Sequence, residues 1–415
     1  MQQHFQCVAA TPPAARHVLE PRVNHSMAAE LLKFITDAAE MASLAGCLYL
    51  IASMRVLQRF MRIAHGQRRA SDAPQPVSVL RPLHGADPGL YENLLSSCDQ
   101  SGVSAELICG VQRADDPAIG VVERLRGDRP DCNVSLIVDS TPHGRNRKVA
   151  NLINMLPAAR HGPLVIMDSD MRAPPDFMSL ALGALAGPGA GLVSALYRGR
   201  PADAGFWSAL AAQYINHGFL PQALLGERLN PGIGCYGAGI AMERGTLEAI
   251  GGFAAVSDAL ADDYALGEGV RKLHKRLVVA PLLLDDWLVE DSFADLFRHE
   301  LRWLLTIRSV APWGHAGLLL THPVALALIA AVVGAPSPIS LLGLPVALLL
   351  RFGMVRAVDH ALGLERTPLW RVPVRDLISF AVYVASFFAK TVAWRDHQFE
   401  VSRQGRLIGD GDRTR

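Results

Sequence analysis

The apolar positions of this chain fall into short strand-length runs through its middle and into long uncharged blocks towards its ends. The runs "VSVLRPL" (77–83), "AELICGVQ" (105–112), "NVSLIVD" (133–139), "PLVIMDSD" (163–170) and "AGLVSALY" (190–197) are rich in β-branched residues. Between the early ones, 88–99, 117–126 and 146–156 carry helical spacing. Strand, helix, strand, helix predicts an α/β domain whose mostly parallel sheet is covered on both faces. In such sheets ligands gather beyond the carboxyl ends of the strands. One of those ends, "VIMDSDMR" (165–172), places two acids there.

The outer blocks follow a different rule. "MASLAGCLYLIASM" (41–54) is uncharged and is followed by Arg55, Arg59, Arg62, Arg68 and Arg69. The run is shorter than the ~20 residues a span needs, but tilt and snorkelling arginines extend it. We expect an anchor over 38–57 with its basic end in the cytoplasm. Residues 316–350 contain no Asp, Glu, Lys or Arg and are long enough for a helical hairpin, broken near "GAPSP" (334–338). "LISFAVYVASFFA" (377–389) is a shorter third segment. The loop 351–376 and the tail each carry five arginines and are both drawn to the cytoplasm. Segment 377–393 is therefore expected to be re-entrant or interfacial. Residues 1–26 are polar and show no signal peptide, and Met27 offers an alternative start. The stretch from His65 to Pro76 reads as a linker. The resulting division is a tail (1–26), an anchor (38–57), a cytosolic domain (77–312), membrane segments (313–394) and a second tail (395–415). It predicts a multi-pass protein of the inner, cytoplasmic membrane.

Composition sharpens this in two ways. The 40 basic and 39 acidic side chains nearly cancel, so no global field recruits nucleic acid. The six cysteines lack CxxC spacing, which predicts reduced thiols and neither a disulfide framework nor a zinc site.

Four further patterns carry chemistry. Asp168 and Asp170, two apart at a strand end, project to one side, where they can hold Mg²⁺ or Mn²⁺ with positions left for phosphate oxygens. In "HGRNRKVANL" (143–152), Lys148 and its arginine neighbours follow a glycine turn and open a helix, a ready site for a diphosphate. "ALADDYALG" (259–267) sets a second acid pair before a helix at 264–273, where Asp262 or Asp263 serves as an N-cap or Asp263 as a base. It follows a glycine-rich stretch in which Gly237 and Gly239 allow close approach of backbone to a ligand. "RHELRW" (298–303) packs Arg298, His299, Arg302 and Trp303 onto about one helical turn, as an interfacial helix also would. Each pattern alone has a structural explanation; their order is what narrows the reading.

That order resembles the membrane-bound, inverting glycosyltransferases of GT-A fold, with their D, DxD, D, (Q/R)xxRW succession in one Rossmann-like nucleotide-sugar domain. Within them the chain is most similar to the ceramide glucosyltransferase-like branch, through "GVQRADDPAI" (110–119) and "NRKVANL" (146–152). "HGFLP", "LADDYALG" and "RHELRW" look most like the hopanoid-biosynthesis glycosyltransferases. The resemblance covers roughly residues 30–400 and implies the following roles. Asp116, with Asp115 beside it, faces the nucleotide. Lys148 lies on the diphosphate side. Asp168 and Asp170 hold metal and sugar diphosphate, Asp263 is the general base, and Arg302 and Trp303 form the RW pair. The first position of (Q/R)xxRW is His299 here, with Arg298 one residue earlier, and either can fill it.

The implied activity is transfer of a sugar, N-acetylglucosamine or glucose, from a UDP-sugar to a lipid hydroxyl with inversion, assisted by a divalent cation. The acceptor implied is a hopanoid such as bacteriohopanetetrol, with ceramide as the near alternative. Lys148, Arg302 and a cation would stabilise the departing diphosphate. Trp303 would border the acceptor or anchor at the headgroups. A polysaccharide synthase would need a wider channel than these short segments offer. A non-catalytic nucleotide-sugar or lipid-binding scaffold gives no reason for a base beside a metal clamp.

Overall fold

The computed structural model describes residues 25–66, 75–333, 338–389, 391–394, 397–401 and 407–408. Most of the expected N-terminal tail, of the linker, of the GAPSP break and of the C-terminal tail lies outside the described residues.

Eight strands form the main sheet: β1 (Gln75–Pro82), β2 (Val103–Val111), β3 (Asn133–Val138), β4 (Pro163–Met167), β5 (Met171–Arg172), β6 (Ala190–Pro201), β7 (Gly239–Glu243) and β8 (Arg276–Leu288). Their order is β3-β2-β1-β4-β7-β6-β8-β5. The β3-β2-β1-β4 half is parallel, as is β6-β8, whereas β7 runs antiparallel between β4 and β6, and β5 antiparallel to β8. A small antiparallel sheet, β9 (Thr391–Trp394), β10 (His397–Val401) and β11 (Leu407–Ile408), follows near the C-terminus.

The helices of the α/β domain are α2 (Leu90–Cys98), α3 (Ala118–Asp128), α4 (Arg147–Met155), α5 (Phe177–Leu185), α6 (Phe206–Tyr214), α7 (Leu220–Leu229), α8 (Arg244–Ala249), α9 (Asp262–Lys272) and α10 (Phe293–Val310), preceded by α1 (His25–Gly66). After them come α11 (Pro312–Gly317), α12 (Pro323–Val333), α13 (Pro338–Leu362) and α14 (Arg371–Phe388). A π-helical turn, Ile215–Phe219, joins α6 to α7.

Alternation along the strands builds a core on each face of the sheet. Val77, Val79, Val165 and Met167 join Leu94, Val122 and Phe177 in one cluster; Leu80, Leu164 and Ile166 join Val149, Leu152 and Leu266 in the other. Both sets are apolar because helices cover both faces, as parallel strands require. The expected mixed α/β architecture is present. No strand was expected at β8, whose pattern is interrupted by Pro281. In the structure Pro281 lies at a bulge where the β6–β8 register slips between Ala195 and Leu196.

The helices outside the domain correct several expectations. The helix α1 is 42 residues long and contains the expected anchor 38–57 within it. The helix α13 continues to Leu362, so much of the expected loop 351–376 is helical. The helix α14 starts at Arg371 and includes Arg375 and Asp376, so it is amphipathic and not an apolar segment confined to 377–389. Two helices, Met27–Gly66 and Leu341–Leu362, are long and apolar enough to cross a membrane; Pro312–Thr321 and Pro323–Val333 form a pair bent by 68° that passes the same test together. Met27, Leu31, Phe34, Met41, Leu44 and Leu48 make an exposed apolar stripe along α1. On its other face Leu50, Leu57 and Phe60 pack with Leu196, Leu220, Met354 and Val358, joining the spans to the α/β domain. These features make the protein membrane-associated.

The expectation of six reduced thiols fails for one pair. Cys98, at the end of α2, and Cys132, just before β3, form a disulfide with Cα atoms 5.6 Å apart. Cys47, Cys109 and Cys235 are free and buried, and Cys7 lies outside the described residues. Spacing of 34 residues carried no recognisable motif, so only the fold brings the pair together.

Candidate active site

The strand β4 ends at Met167, so the two acids of the DxD sit in the turn to β5 and not on the strand itself. The turn is closed by Met171 N–H donating to the Asp168 carbonyl at 3.2 Å and by Trp287 N–H donating to the Asp170 carbonyl at 3.3 Å. Beneath it lies Arg81, fully buried at the end of β1, which donates to the carbonyls of Met171 (2.9 Å) and Ser169 (3.5 Å). Its guanidinium forms the floor of the turn.

The basic turn packs against the second acid pair. Gly144 adopts φ 81°, and a Cβ there would lie 2.7 Å from Ser257. Asn146 caps α4, accepting from Val149 N–H at 3.1 Å while its amide donates to the Ala259 carbonyl at 2.8 Å. One residue into α4, Lys148 places Nζ 2.6 Å from Asp168 Oδ1 and 3.5 Å from Asp262 Oδ2. Burial opposes its charge, but Asp168, Asp262 and Asp263 outweigh burial and hold its pKa above the ordinary lysine value.

Asp262 and Asp263 open α9 without capping it: the N-cap position is Ala261, and Asp263 Oδ1 accepts from the N–H of Tyr264 at 2.8 Å. They complement the helix dipole in its first turn. Burial, reinforced by Asp262, raises the Asp263 carboxyl to about 7 despite the opposing pull of Lys148. Gly237 touches this residue, since a Cβ there would lie 3.3 Å from Asp263 Oδ2. Gly239 differs from expectation: its missing Cβ makes room for Leu284 and Phe177 in the core, not for a ligand.

On the other side of the DxD turn, Asp170 and Asp286 present buried carboxylate oxygens, one Oδ1 each, that accept no hydrogen bond. Burial and then Asp168 raise Asp170 to about 6, and burial with Asp170 raises Asp286 well above the usual carboxylate range. Two such oxygens, one in the turn and one on β8, are hard donors lacking a partner, which suits an oxygen-preferring cation. Among the described residues, no group of three His, Cys, Asp or Glu side chains is gathered to cage a metal. A cation here would take its remaining ligands from substrate and water.

The helix α10 supplies the last members. His299, Arg302 and Trp303 share one face at helical spacing. His299 Nδ1 lies 2.8 Å from Glu290 Oε1, and its ring is 4.4 Å from that of Trp303. Burial lowers the Arg302 pKa while Tyr197, Asp170 and Asp168 oppose the shift. Trp303 is half-buried and stacks on Tyr214 with ring centroids 5.9 Å apart.

Three expected residues stand apart from this centre. Asp115 is 70 % exposed and pairs with Arg113 at the surface, through two hydrogen bonds of 2.8 and 2.6 Å. Arg298 is 66 % exposed and pairs with Asp295 on its own helix. Asp116 is buried after β2, accepting from Gly85 N–H (2.9 Å) and Ala118 N–H (3.0 Å), with His84 Nδ1 at 3.7 Å. Sequence reasoning missed Arg81, Asp286 and Glu290. The run "LLLDDWLVED" (282–291) repeats the pattern of an apolar strand ending in acids, and that repeat was the available signal.

The chain matches the family described as "Glycosyl transferase family 21" over residues 39–407. It belongs to that family. This family 21 chain is 24 % identical over 393 residues to Ceramide glucosyltransferase 1 of Caenorhabditis elegans, covering 89 % of this chain and 82 % of that protein. It is 23 % identical over 380 residues to Ceramide glucosyltransferase 3 of the same organism, covering 87 % and 80 %. Among solved structures it is similar to the mannosyltransferase PcManGT from Pyrobaculum calidifontis in complex with GDP-Man and Mn²⁺, with TM-score 0.49, 19 % identity and coverage of 86 % and 99 %. The family 21 assignment makes the protein a glycosyltransferase.

Proposed function

We propose that this family 21 glycosyltransferase transfers a sugar from a UDP-sugar to a lipid hydroxyl in a single inverting displacement. The observation that carries the reading is the meeting of Lys148, Asp168, Asp262 and Asp263 at the carboxyl end of the sheet, in a chain that also holds membrane-length helices.

Asp263 acts as general base. Its carboxyl, raised to about 7, is well matched to taking a proton from an alcohol near neutral pH. Lys148 and Arg302 offset the charge that builds on the leaving diphosphate, in a buried setting where such charges act strongly. Asp168 and Asp170, with Asp286 behind them, would hold Mg²⁺ or Mn²⁺, which would supply further charge neutralisation to the diphosphate. Asp116 orders the loop after β1 on the nucleotide side. The proton leaves the acceptor as its oxygen attacks the anomeric carbon, and the diphosphate departs from the opposite face.

The acceptor comes from the bilayer, and the domain 77–312 faces the cytoplasm at the inner membrane. The likeness of "HGFLP", "LADDYALG" and "RHELRW" to the hopanoid-biosynthesis enzymes favours a hopanoid polyol and N-acetylglucosamine. A second reading, ceramide and glucose, is favoured by the names of the relatives. Lipid mass spectrometry of a host that expresses the chain and is supplied with both acceptors tests the reading. A glycosylated lipid dependent on Asp263 supports it and identifies sugar and acceptor; no glycosylated lipid of either class overturns it.

A further inference from the structure

The stretch HGFLP (217–221) stands outside the cluster of Lys148, the DxD and Asp263, yet its backbone is irregular. Residues Ile215–Phe219 form the π-helical turn between α6 and α7, an arrangement that is rare in general and frequent at functional sites. One side chain fastens this turn to β6. Asn216, 4 % exposed, accepts from Gly199 N–H and donates to the Gly199 carbonyl, both at 2.9 Å. The clamp lies two residues beyond Tyr197, and beside it the Phe219 and Tyr197 rings meet with centroids 4.9 Å apart. Phe219 also meets Tyr236 edge-on, at 5.8 Å. Tyr236 is held in turn, its N–H donating to Ser194 Oγ at 2.7 Å and its hydroxyl to the Ala223 carbonyl at 3.4 Å.

The three rings form an arc whose ends reach the two halves of the proposed chemistry. At one end Tyr236 immediately precedes Gly237, where a Cβ would lie 3.3 Å from Asp263 Oδ2. At the other end Tyr197 pairs with Leu284 across β6 and β8. Its side chain and that of Asp286, two residues further along β8, therefore share one face. Burial first, then Asp286 and Asp170, hold the Tyr197 phenol well above its ordinary range, so it stays neutral beside the acids. All three rings are half-buried and keep some surface open. Behind them, Phe219 and Tyr236 pack against Leu50 of α1, Leu220 of α7, and Met354 and Val358 of α13. The arc thus stands between the membrane-length helices and the pair formed by base and DxD. It offers flat apolar surface and no charge for a diphosphate. The group that needs such a surface beside a base is the hydrocarbon that carries the attacking hydroxyl.

We propose that Tyr197, Phe219 and Tyr236 are the acceptor-side wall of the active site, seating the hydrocarbon stem next to the reacting hydroxyl so that this hydroxyl meets Asp263. The proposal rests on the reading of the protein as a lipid glycosyltransferase and adds which residues select the acceptor. They select a neutral alcohol whose carbons beside the hydroxyl are apolar, because a charged stem would lose its water against three rings and gain no partner.

The test uses the full-length protein in nanodiscs, with a short-chain ceramide and a hopane polyol as acceptors. Phe219→Leu and Tyr197→Leu keep an apolar side chain but remove the flat ring, Tyr197→Phe keeps the ring, and melting temperatures confirm folding. In both Leu variants acceptor KM is expected to rise about five- to tenfold, the scale of a lost aromatic contact, with donor KM within twofold. Tyr197→Phe is expected to stay within twofold of the parent in both. Acceptor KM unchanged in the Leu variants overturns the proposal. So does a rise in donor KM in its place, which would assign the rings to the sugar, or a loss in Tyr197→Phe equal to that in Tyr197→Leu. In parallel, analogues of both lipids with a diazirine within a few carbons of the hydroxyl are photocrosslinked to the unaltered protein, and the adducts are mapped by mass spectrometry. Adducts at Tyr197, Phe219 or Tyr236 are expected. Adducts only elsewhere overturn the wall while leaving the lipid-transfer reading intact. Adducts on the rings without any sugar transfer overturn that reading and leave the wall standing as a lipid site.

Discussion

The Lys148 ammonium stands 2.6 Å from the Asp168 carboxylate, and this contact ties the first turn of α4 to the turn between β4 and β5. With Asp262 at 3.5 Å, one cation links three segments that are far apart in sequence. On the proposed reading, the same cation exchanges a carboxylate for the diphosphate when donor arrives. Lys148→Met should therefore weaken UDP-sugar binding by about thirtyfold or more, the lower end of the scale for removing one partner of a buried charge pair. Calorimetric titration of UDP into the folded variant checks this. Unchanged affinity would show that Lys148 only braces the two loops.

Asp263 gives a prediction with two opposed signs. As a base it must be ionised, so transfer should rise with pH and level off above about 7, and Asp263→Asn should lower kcat by about 10²–10⁴ while sparing donor affinity. Stability runs the other way. The folded carboxyl titrates near 7 and the unfolded one near 3.8, so between those values the unfolded chain binds fewer protons and stability falls as pH rises. The Asn variant should consequently melt higher than the parent at pH 8 and lose that advantage by pH 4. Melting curves at the two pH values test the sign.

How far the sequence reached is best judged from particular residues. The parallel half of the sheet was visible because its strands are apolar on both faces, and Val79 and Leu80 belong to opposite cores. Lys148, Asp168 and Asp263 were visible because each stands at a helix start or strand end. Arg81 and Asp286 were not, since their meaning depends on which strands become neighbours. Nor was the disulfide, which joins a helix end to a strand start across 34 residues. Local pattern reveals local structure; partners brought together by topology leave little trace in it.

The open choice at the first position of (Q/R)xxRW becomes an experiment. His299 touches Glu290 and Trp303, whereas Arg298 points outward to Asp295. His299→Ala should reduce kcat/KM by tenfold or more, a loss of about 1.4 kcal/mol in transition-state binding. Arg298→Ala, which removes an exposed pair worth under about 1 kcal/mol, should stay within twofold of the parent. The reverse pattern, measured by steady-state kinetics on both variants, would assign the position to Arg298.

The disulfide should matter for stability and not for transfer. Cys98 ends α2 and Cys132 precedes β3, so the bridge lies at the amino-terminal edge of the parallel strands, opposite the edge that carries Asp168 and Asp116. Closing a loop of this length restricts the unfolded chain by about 3–4 kcal/mol in the chain-entropy treatment. The double variant Cys98→Ser, Cys132→Ser should lose about that much stability and so unfold at lower denaturant concentration, while kcat and both KM values at 25 °C remain within twofold. A large loss of transfer in a variant that is still folded would mean that the α2–β3 edge communicates with the site, through the Asn93 amide that donates to the Ser169 carbonyl at 3.1 Å.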